Sequence, residues 1–269
     1  MSRRTACALV VITLSGVLSG PLAMAAPPAP TIEIVPHRAL YDMSLASTRG
    51  TSNVADVGGQ MLFEWADACD GWTVEQRFRL QIVYSEGETS TLDTSVTSWE
   101  AKDGLSYRFN VRRKVTGEAD ELIRGQARLS RAGGAGEAIF TAPVARTFPL
   151  PAGTLFPSAH TIAVLQQAAA GDLMFLRPVF DGTDGKGAAD VSAVISNSQK
   201  TPGAGLADGA AWPVRLAFFP QDGDVTSPET EMTLDLLSNG IARSMEIDYD
   251  DFQVSAKLAK VEAVPRPKC

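Results

Sequence analysis

The chain has 269 residues, 45% of them hydrophobic, and carries a formal net charge of −7. An acidic protein repels phosphate backbones and anionic membranes over most of its surface, so we expect no nucleic-acid binding. The length is sufficient for a substantial hydrophobic core. These values are typical of a soluble globular protein.

The first 25 residues have the pattern of an export signal. Arg3 and Arg4 form a short positive segment, residues 6–22 carry no charge, and residues 23–25 (Ala-Met-Ala) offer small side chains at a cleavage site. Glycine and proline interrupt the apolar run, and no later stretch is long and apolar enough to span a bilayer. We therefore expect cleavage after Ala25, a net charge of −9 once two arginines are lost, and a soluble periplasmic protein.

Alternating apolar and polar residues predict β-strands through most of the remaining chain, because successive strand side chains point to opposite faces. The predicted strands cover residues 37–47, 61–65, 72–84, 92–99, 105–115, 122–130, 138–147, 173–180, 191–197, 212–219, 231–237, 241–249 and 252–261. About a dozen strands with one helix favour a single continuous antiparallel sheet. We expect residues 26–35 to be a proline-rich lead-in and residues 36–269 to form one domain.

Turn residues between the segments support this arrangement. Asp70-Gly71 predicts a hairpin turn with Cys69 at its tip, and Asn239-Gly240 predicts a hairpin with a type I′ turn. Residues 200–211, rich in glycine and alanine, are predicted to be a mobile loop.

One segment, residues 158–170, predicts an α-helix because it is rich in alanine and lacks glycine and proline. Ser158 after Pro157 is a suitable N-cap, and Gly171 suits the residue that ends a helix in the left-handed conformation. The sheet is expected to cover the apolar side of this helix.

The cysteines suggest a disulfide. Cys7 leaves with the export signal, which leaves Cys69 and Cys269 in the mature chain. Two thiols in an oxidising compartment are expected to pair, and the chain-entropy model assigns about 5 kcal/mol to so long a loop. Two free thiols or an intermolecular bridge remain as alternatives.

Few residues suggest catalysis. Of the two histidines, His160 follows Ser158 closely, but no G-x-S-x-G elbow surrounds this serine, and His37 stands at a strand entrance. No C-x-x-C, glycine-rich phosphate loop or metal-spaced cluster of histidine and cysteine occurs. We therefore expect no catalytic residue, cofactor or metal; a hydrolase that uses Ser158 or His160 is the alternative.

Two acidic segments have weak resemblance to cation sites. Residues 181–185 (Asp-Gly-Thr-Asp-Gly) lack the spacing and terminal glutamate of an EF-hand, which favours a turn between strands. Asp248, Asp250 and Asp251 lie at a predicted bend and are interpreted as a solvated turn.

A third polar group is basic. Arg108, Arg112 and Lys114 alternate with apolar residues along one predicted strand. A solvated strand face is the simpler interpretation, and a site for an anionic headgroup is the alternative.

Several short motifs, in this order and spacing, resemble the EipB family of periplasmic cell-envelope integrity proteins. They are H-R-A-L-Y-D-M-S-L at 37–45, C-D-G-W at 69–72, T-L-F-P-S-A-H-T at 154–161, F-D-G at 180–182, N-G-I at 239–241 and D-Y-D-D-F at 248–252. The resemblance implies a long, strongly bent antiparallel sheet, a β-spiral, with one helix in its concave part. It also implies a disulfide between Cys69 and Cys269, and it carries over no catalytic residue.

These observations favour a non-enzymatic periplasmic protein that contributes to envelope integrity by binding an envelope protein or lipid. A carrier of lipids or lipoproteins is an alternative, and it predicts an apolar concave face. The identity of the partner does not follow from the residues.

Overall fold

The computed structural model describes residues 31–50, 52–221, 227–249 and 251–269, and these form one antiparallel sheet of 15 strands with one α-helix. The strands are β1 His37–Thr48, β2 Val54–Asp67, β3 Gly71–Tyr84, β4 Thr89–Ala101, β5 Ser106–Val115, β6 Glu121–Leu129, β7 Gly136–Ala142, β8 Arg146–Leu150, β9 Met174–Val179, β10 Ala189–Ile195, β11 Gln199–Thr201, β12 Gly209–Pro220, β13 Thr230–Leu237, β14 Ala242–Tyr249 and β15 Phe252–Ala263. The helix α1 is Pro157–Ala170. The predicted export signal and the first part of the lead-in lie outside the described residues.

The sheet consists of two runs of hairpins joined at one central pair of strands. The order is β8-β7-β6-β5-β4-β3-β2-β1-β15-β14-β13-β12-β10-β9, and β11 pairs with β12. The central pair, β1 with β15, runs from His37 opposite Ala263 to Thr48 opposite Phe252. The first and last strands therefore hold the two halves together.

The sheet must curl strongly, because its two ends approach each other. Fourteen strands in a row would span roughly 60 Å if flat, since neighbouring strands are about 4.8 Å apart. Leu150 ends β8, and Leu155, which the intervening chain can place at most about 18 Å away, already pairs with β9. The Leu155 N–H donates to Pro178 O at 2.9 Å, and its carbonyl accepts from Phe180 N at 3.0 Å. The predicted bent sheet is confirmed.

The helix fills part of the concave side. Its residues Val164 and Leu165 are almost fully buried and pack in one cluster with Trp65 of β2. Inward-facing residues of β9, β10, β12 and β13 complete that cluster. Gly171 ends the helix at φ 87°, as predicted, and its N–H donates to Ala168 O. No helix in the described ranges is long and apolar enough to cross a membrane.

Some predicted elements differ from the structure. Residues 138–147 are not one strand but the end of β7, a turn that contains Pro143, and the start of β8. Proline has no N–H to contribute to a ladder, which explains the interruption. Residues 200–211 were expected to be a mobile loop, but they contain β11, a 3₁₀ turn at Gly205–Ala207 and the start of β12.

The predicted hairpin between β13 and β14 is confirmed, but the prediction of a type I′ turn is wrong. A type I′ turn needs positive φ at both central residues, whereas here Gly240 has φ 89° and Asn239 is not among the residues with positive φ. The Gly240 N–H donates to Leu237 O, and the register shifts by one residue between Asp235 and Leu236. These features indicate a type I turn followed by a glycine bulge.

The turn between β2 and β3 carries the disulfide. Cys69 has φ 64°, and its N–H donates to the Asp67 carboxylate at 2.8 Å. Its sulfur is bonded to that of Cys269, with the Cα atoms 5.8 Å apart. The C-terminal tail is also held by Arg266, which contacts Glu33 and Ile34 O. The bridge therefore joins the β2–β3 turn to a tail that already lies along the lead-in.

We predict that Cys69→Ala lowers the midpoint of thermal unfolding of the mature protein by 10 °C or more, on the order of what loss of a long cross-link implies. Calorimetry of the oxidised protein measures this. Asp70→Ala, at the exposed neighbouring position, is the control and should melt like the wild type. An unchanged midpoint in Cys69→Ala, or two free thiols on titration of the unreduced denatured wild type, would contradict the assigned bridge.

Candidate functional site

A cleft of about 210 Å³ lies between the start of α1 and the concave face of β2–β5. More of its wall area is apolar than polar, and half of the lining residues are polar. The lining residues are Phe63, Trp65, Val74, Gln76, Val96, Ser98, Tyr107, Pro157, Ser158, Thr161, Asp181 and Thr183. A cavity of about 150 Å³ is enough to hold benzene. This cleft can therefore take a ring or a short stretch of hydrocarbon chain.

Strand alternation places these side chains on one face. Residues two apart on each strand point the same way, so β2 supplies Phe63 and Trp65, and β3 supplies Val74 and Gln76. Trp65 and Val74 are directly opposite each other across the β2–β3 ladder. The apolar wall of the cleft is thus built by continuous strands and is rigid.

Trp65 lines this wall with its indole ring. The side chain is 3% exposed, and its indole Nε1–H is buried and has no partner among the described residues. The opposite end of the ring, at Cζ3, lies against Gly240. Buried indole N–H groups usually have an acceptor, because an unpaired donor costs about 1–3 kcal/mol.

A buried carboxylate positions the helix at the edge of the cleft. Glu100 of β4 is 2% exposed, and its two oxygens accept hydrogen bonds from Ser158 N and Ala159 N, both at 2.7 Å. These N–H groups belong to the first turn of α1, and no carbonyl within the helix can accept from them. The N-terminus of a helix also attracts negative charge. Burial raises the pKa of Glu100 to about 7, although the two backbone hydrogen bonds oppose the shift.

The prediction that Ser158 is the N-cap is wrong. The N-cap is Phe156, Pro157 follows as the first helical residue, and no side chain of the cap itself accepts a hydrogen bond from the helix. Pro157 suits that position because its missing N–H would be unpaired there in any case. Glu100 takes over the capping role from 58 residues earlier in the chain.

The structure does not bring together a serine and a histidine for nucleophilic catalysis. Ser158 is 4% exposed, and its hydroxyl contacts the Glu100 carboxylate. His160 is stacked on Phe175 instead, with ring centroids 6.0 Å apart, and burial lowers its pKa to about 4. His37 is fully buried beside Phe63, and its Nδ1 lies 2.8 Å from Val35 O. Both imidazoles are core side chains.

The acidic segments are turns. Asp181 accepts hydrogen bonds from the N–H and the hydroxyl of Thr183, both at 2.9 Å, and Asp184 accepts from Lys186 N. Within the described ranges, no group of three or more histidine, cysteine, aspartate or glutamate residues could hold a metal.

The other acidic turn is tied by an ion pair. Asp248 is 2.6 Å from the Arg49 guanidinium, and the Gln253 amide also donates to it. Asp250 lies outside the described residues. These contacts favour the interpretation of this bend as a polar turn.

Beyond the cleft, the concave face remains apolar and only partly covered. A cluster centred on Tyr41, Met61 and Leu80 is bordered by side chains that are half-buried. These are Leu45, Phe78, Ile82, Tyr84, Leu92, Met245, Ile247, Tyr249 and Phe252. Phe63 contacts this cluster and also lines the cleft. An apolar surface therefore continues from the cleft along the inside of the sheet.

Comparison with known proteins agrees with this architecture. The family model described as EipB-like matches residues 28–265. The chain belongs to the EipB-like family. It is 30% identical over 250 residues to the cell envelope integrity protein EipB of Brucella abortus (strain 2308). The match covers 88% of this chain and 87% of the relative.

A solved structure has the same fold. It is the crystal structure of a beta-barrel-like protein of domain of unknown function DUF1849 from Brucella abortus, with a TM-score of 0.80 and 28% sequence identity. The match covers 87% of this chain and all of that one. The EipB-like fold thus extends through the elements that form the cleft.

The two most informative residues of the site were not singled out from the sequence. Glu100 and Trp65 are ordinary members of alternating segments in the sequence. Glu100 lies on the same face of β4 as Val96 and Ser98, and a glutamate on this apolar face is the one signal that could have marked it. Its partner lies on a helix that periodicity cannot place against the strand.

Glu100→Gln tests the buried carboxylate. Because burial raises the folded-state pKa of Glu100 from 4.5 to about 7, its contribution to stability is full below pH 4.5 and is lost as pH rises through 7. Between pH 5 and pH 8, we predict that the wild type loses about 2 kcal/mol of unfolding free energy relative to Glu100→Gln. Denaturant unfolding of both proteins at each pH measures this. A constant difference across that range would refute the raised pKa.

Proposed function

We propose that this EipB-like protein acts in the periplasm to maintain the cell envelope by binding the apolar part of an envelope lipid in the cleft beside α1. Three observations support the compartment and the role: the export-signal pattern in residues 1–25, the disulfide, and the similarity to a relative named for envelope integrity. We further propose that residues 36–269 act as one domain, because a single core cluster contains Trp65, Leu165 and Leu236.

The observation that carries the lipid proposal is the cleft itself, whose apolar wall of Phe63, Trp65 and Val74 continues into the half-buried inner face of the sheet. Hydrocarbon would fill the space between Phe63, Val74 and Val96, since burial of apolar surface is favourable in proportion to its area. The half-buried inner face beyond Phe63 would cover a longer chain. A site of this kind can bind an amphipathic molecule and needs no catalytic residue to do so.

The polar groups restrict the chemistry of the bound headgroup or linkage. Asp181 lines the helix end of the cleft, so an anionic headgroup there would be repelled. The Gln76 and Ser98 side chains, which line the cleft, can donate hydrogen bonds. A neutral acceptor such as an ester or amide carbonyl fits these groups. We infer an acylated lipid with its carbonyl near Gln76 and Ser98.

Filling the cleft should abolish lipid binding. We predict that Val96→Trp removes lipid that co-purifies with the wild type and fails to restore detergent resistance to a deletion strain. Ser95→Trp is the matched control, since the adjacent residue points to the opposite face of β4 and should preserve both properties. Mass spectrometry of organic extracts measures the lipid, and calorimetry checks that both variants fold. Equal lipid in the two variants would contradict the proposal.

A second candidate function is binding of an envelope protein on the exposed face of β9 and β10. Leu173, Met174, Leu176 and Val194 are large apolar residues that are 48–71% exposed, and Met174 is directly opposite Val194 in the ladder. Exposed apolar patches are common protein contacts. If this contact carries the function, Met174→Asp will fail in the detergent assay while Val96→Trp succeeds. The opposite pattern favours the lipid cleft.

A further inference from the structure

The outer face of β4–β7 has a second concave site, on the side of the sheet away from the cleft. It is a shallow groove of about 560 Å³. Its polar lining consists of Thr97, Arg108, Asn110, Arg124, Gln126 and Thr141, with Trp99 at one end. We call it the arginine groove. No carboxylate lines it, although the whole chain is acidic.

One guanidinium in the arginine groove is held by stacking. Arg108 lies over the Trp99 ring, with 5.0 Å between its Cζ and the ring centroid. The indole also lies against Gly71, where a Cβ would overlap the ring. Gly71 therefore lets Trp99 lie close to the sheet, and Trp99 supports Arg108. A guanidinium that is stacked on an aromatic ring keeps its N–H groups available for an anion.

The second guanidinium is oriented by a hydrogen bond. Arg124 donates from Nε to Asn110 Oδ1 at 3.3 Å, which leaves its terminal nitrogens directed elsewhere. Asn110 and Arg124 are directly opposite each other on β5 and β6, and Arg108 is opposite Gln126 on the same two strands. Diagonal neighbours of this kind are about 7–8 Å apart. An anion between Arg108 and Arg124 could contact both.

The positive charge of this face is not neutralised locally. Among the described residues, no carboxylate lies within ion-pair distance of Arg108, Arg112 or Arg124. By contrast, Arg77 and Arg79 on β3, which share the outer face, are paired with Glu75 and Asp93. Arginines that have no ion-pair partner and lie close together on paired strands create a positive potential that attracts anions.

We propose that the arginine groove binds the phosphate group of an anionic lipid headgroup. Planar guanidinium groups match phosphate oxygens in a bidentate manner, and two of them are oriented here. Arg112 extends the positive charge beyond the groove along β5, as contact with a surface of many phosphates requires. A free phosphate would use the groove alone. The inference does not depend on the cleft beside α1, which lies on the other face of the sheet.

The test compares two double variants of the mature protein that lose the same charge. The groove variant carries Arg108→Gln and Arg124→Gln, which removes both charges of the arginine groove. The ion-paired variant carries Arg77→Gln and Arg79→Gln, which removes two ion-paired arginines from the same face. Binding is measured by co-sedimentation with phosphatidylcholine vesicles that contain phosphatidylglycerol, with pure phosphatidylcholine vesicles alongside. Calorimetric titration with glycerol 3-phosphate tests a soluble phosphate.

We predict binding to the phosphatidylglycerol vesicles only, weakened about 25-fold in the groove variant, since each surface arginine contributes about a fivefold factor. The ion-paired variant should change less than about threefold. Trp99→Leu retains every charge and should weaken binding severalfold, because Arg108 loses its support.

Three results would overturn the proposal. Equal losses in the two double variants would show that overall charge is sufficient. Binding of glycerol 3-phosphate without vesicle binding would assign the groove to a soluble phosphate. Absence of binding to any of the probes would remove the site altogether.

Discussion

The contact between the Glu100 carboxylate and the first turn of α1 determines how the concave side of this protein is arranged. A curled sheet encloses a space on its concave side, and here one helix fills part of that space. The two 2.7 Å hydrogen bonds from Ser158 N and Ala159 N place the helix N-terminus against β4. They satisfy backbone donors that are otherwise unpaired in a buried position. The cleft lies beside this contact because the helix begins there.

The curl also explains why one sheet has two different faces. Each of β2–β5 sends alternate residues inward to an apolar surface and outward to solvent, so a single strand contributes to two sites. On β4, Val96 lines the cleft and Trp99 supports Arg108 on the outer face. The cleft suits the apolar part of a lipid, and the arginine groove suits a phosphate group, on opposite sides of the same strands.

Local chemistry predicted much of the fold, and its errors have both distant and local causes. Alternation gave most of the strands, and Gly171 marked the end of the helix because a left-handed residue favours glycine. Ser158 was assigned as the N-cap because serine after proline suits that role, but the acceptor comes from Glu100 on another element. Asn239 was assigned to a type I′ turn, whereas a bulge at Gly240 changes the turn type. The resemblance to a known family, rather than periodicity, indicated that the sheet is bent.

The account depends most on the apolar cleft, which the Trp65 ring lines. The chain has four tryptophans, so a ¹H–¹⁵N spectrum of the indole region resolves Trp65 from Trp99 on the outer face. The experiment adds a short-chain monoacyl glycerol, which carries an ester carbonyl and no charge, to delipidated mature protein. The account predicts a saturable shift of the Trp65 indole resonance and no shift at Trp99. A stationary Trp65 resonance at saturating ligand would contradict the lipid cleft.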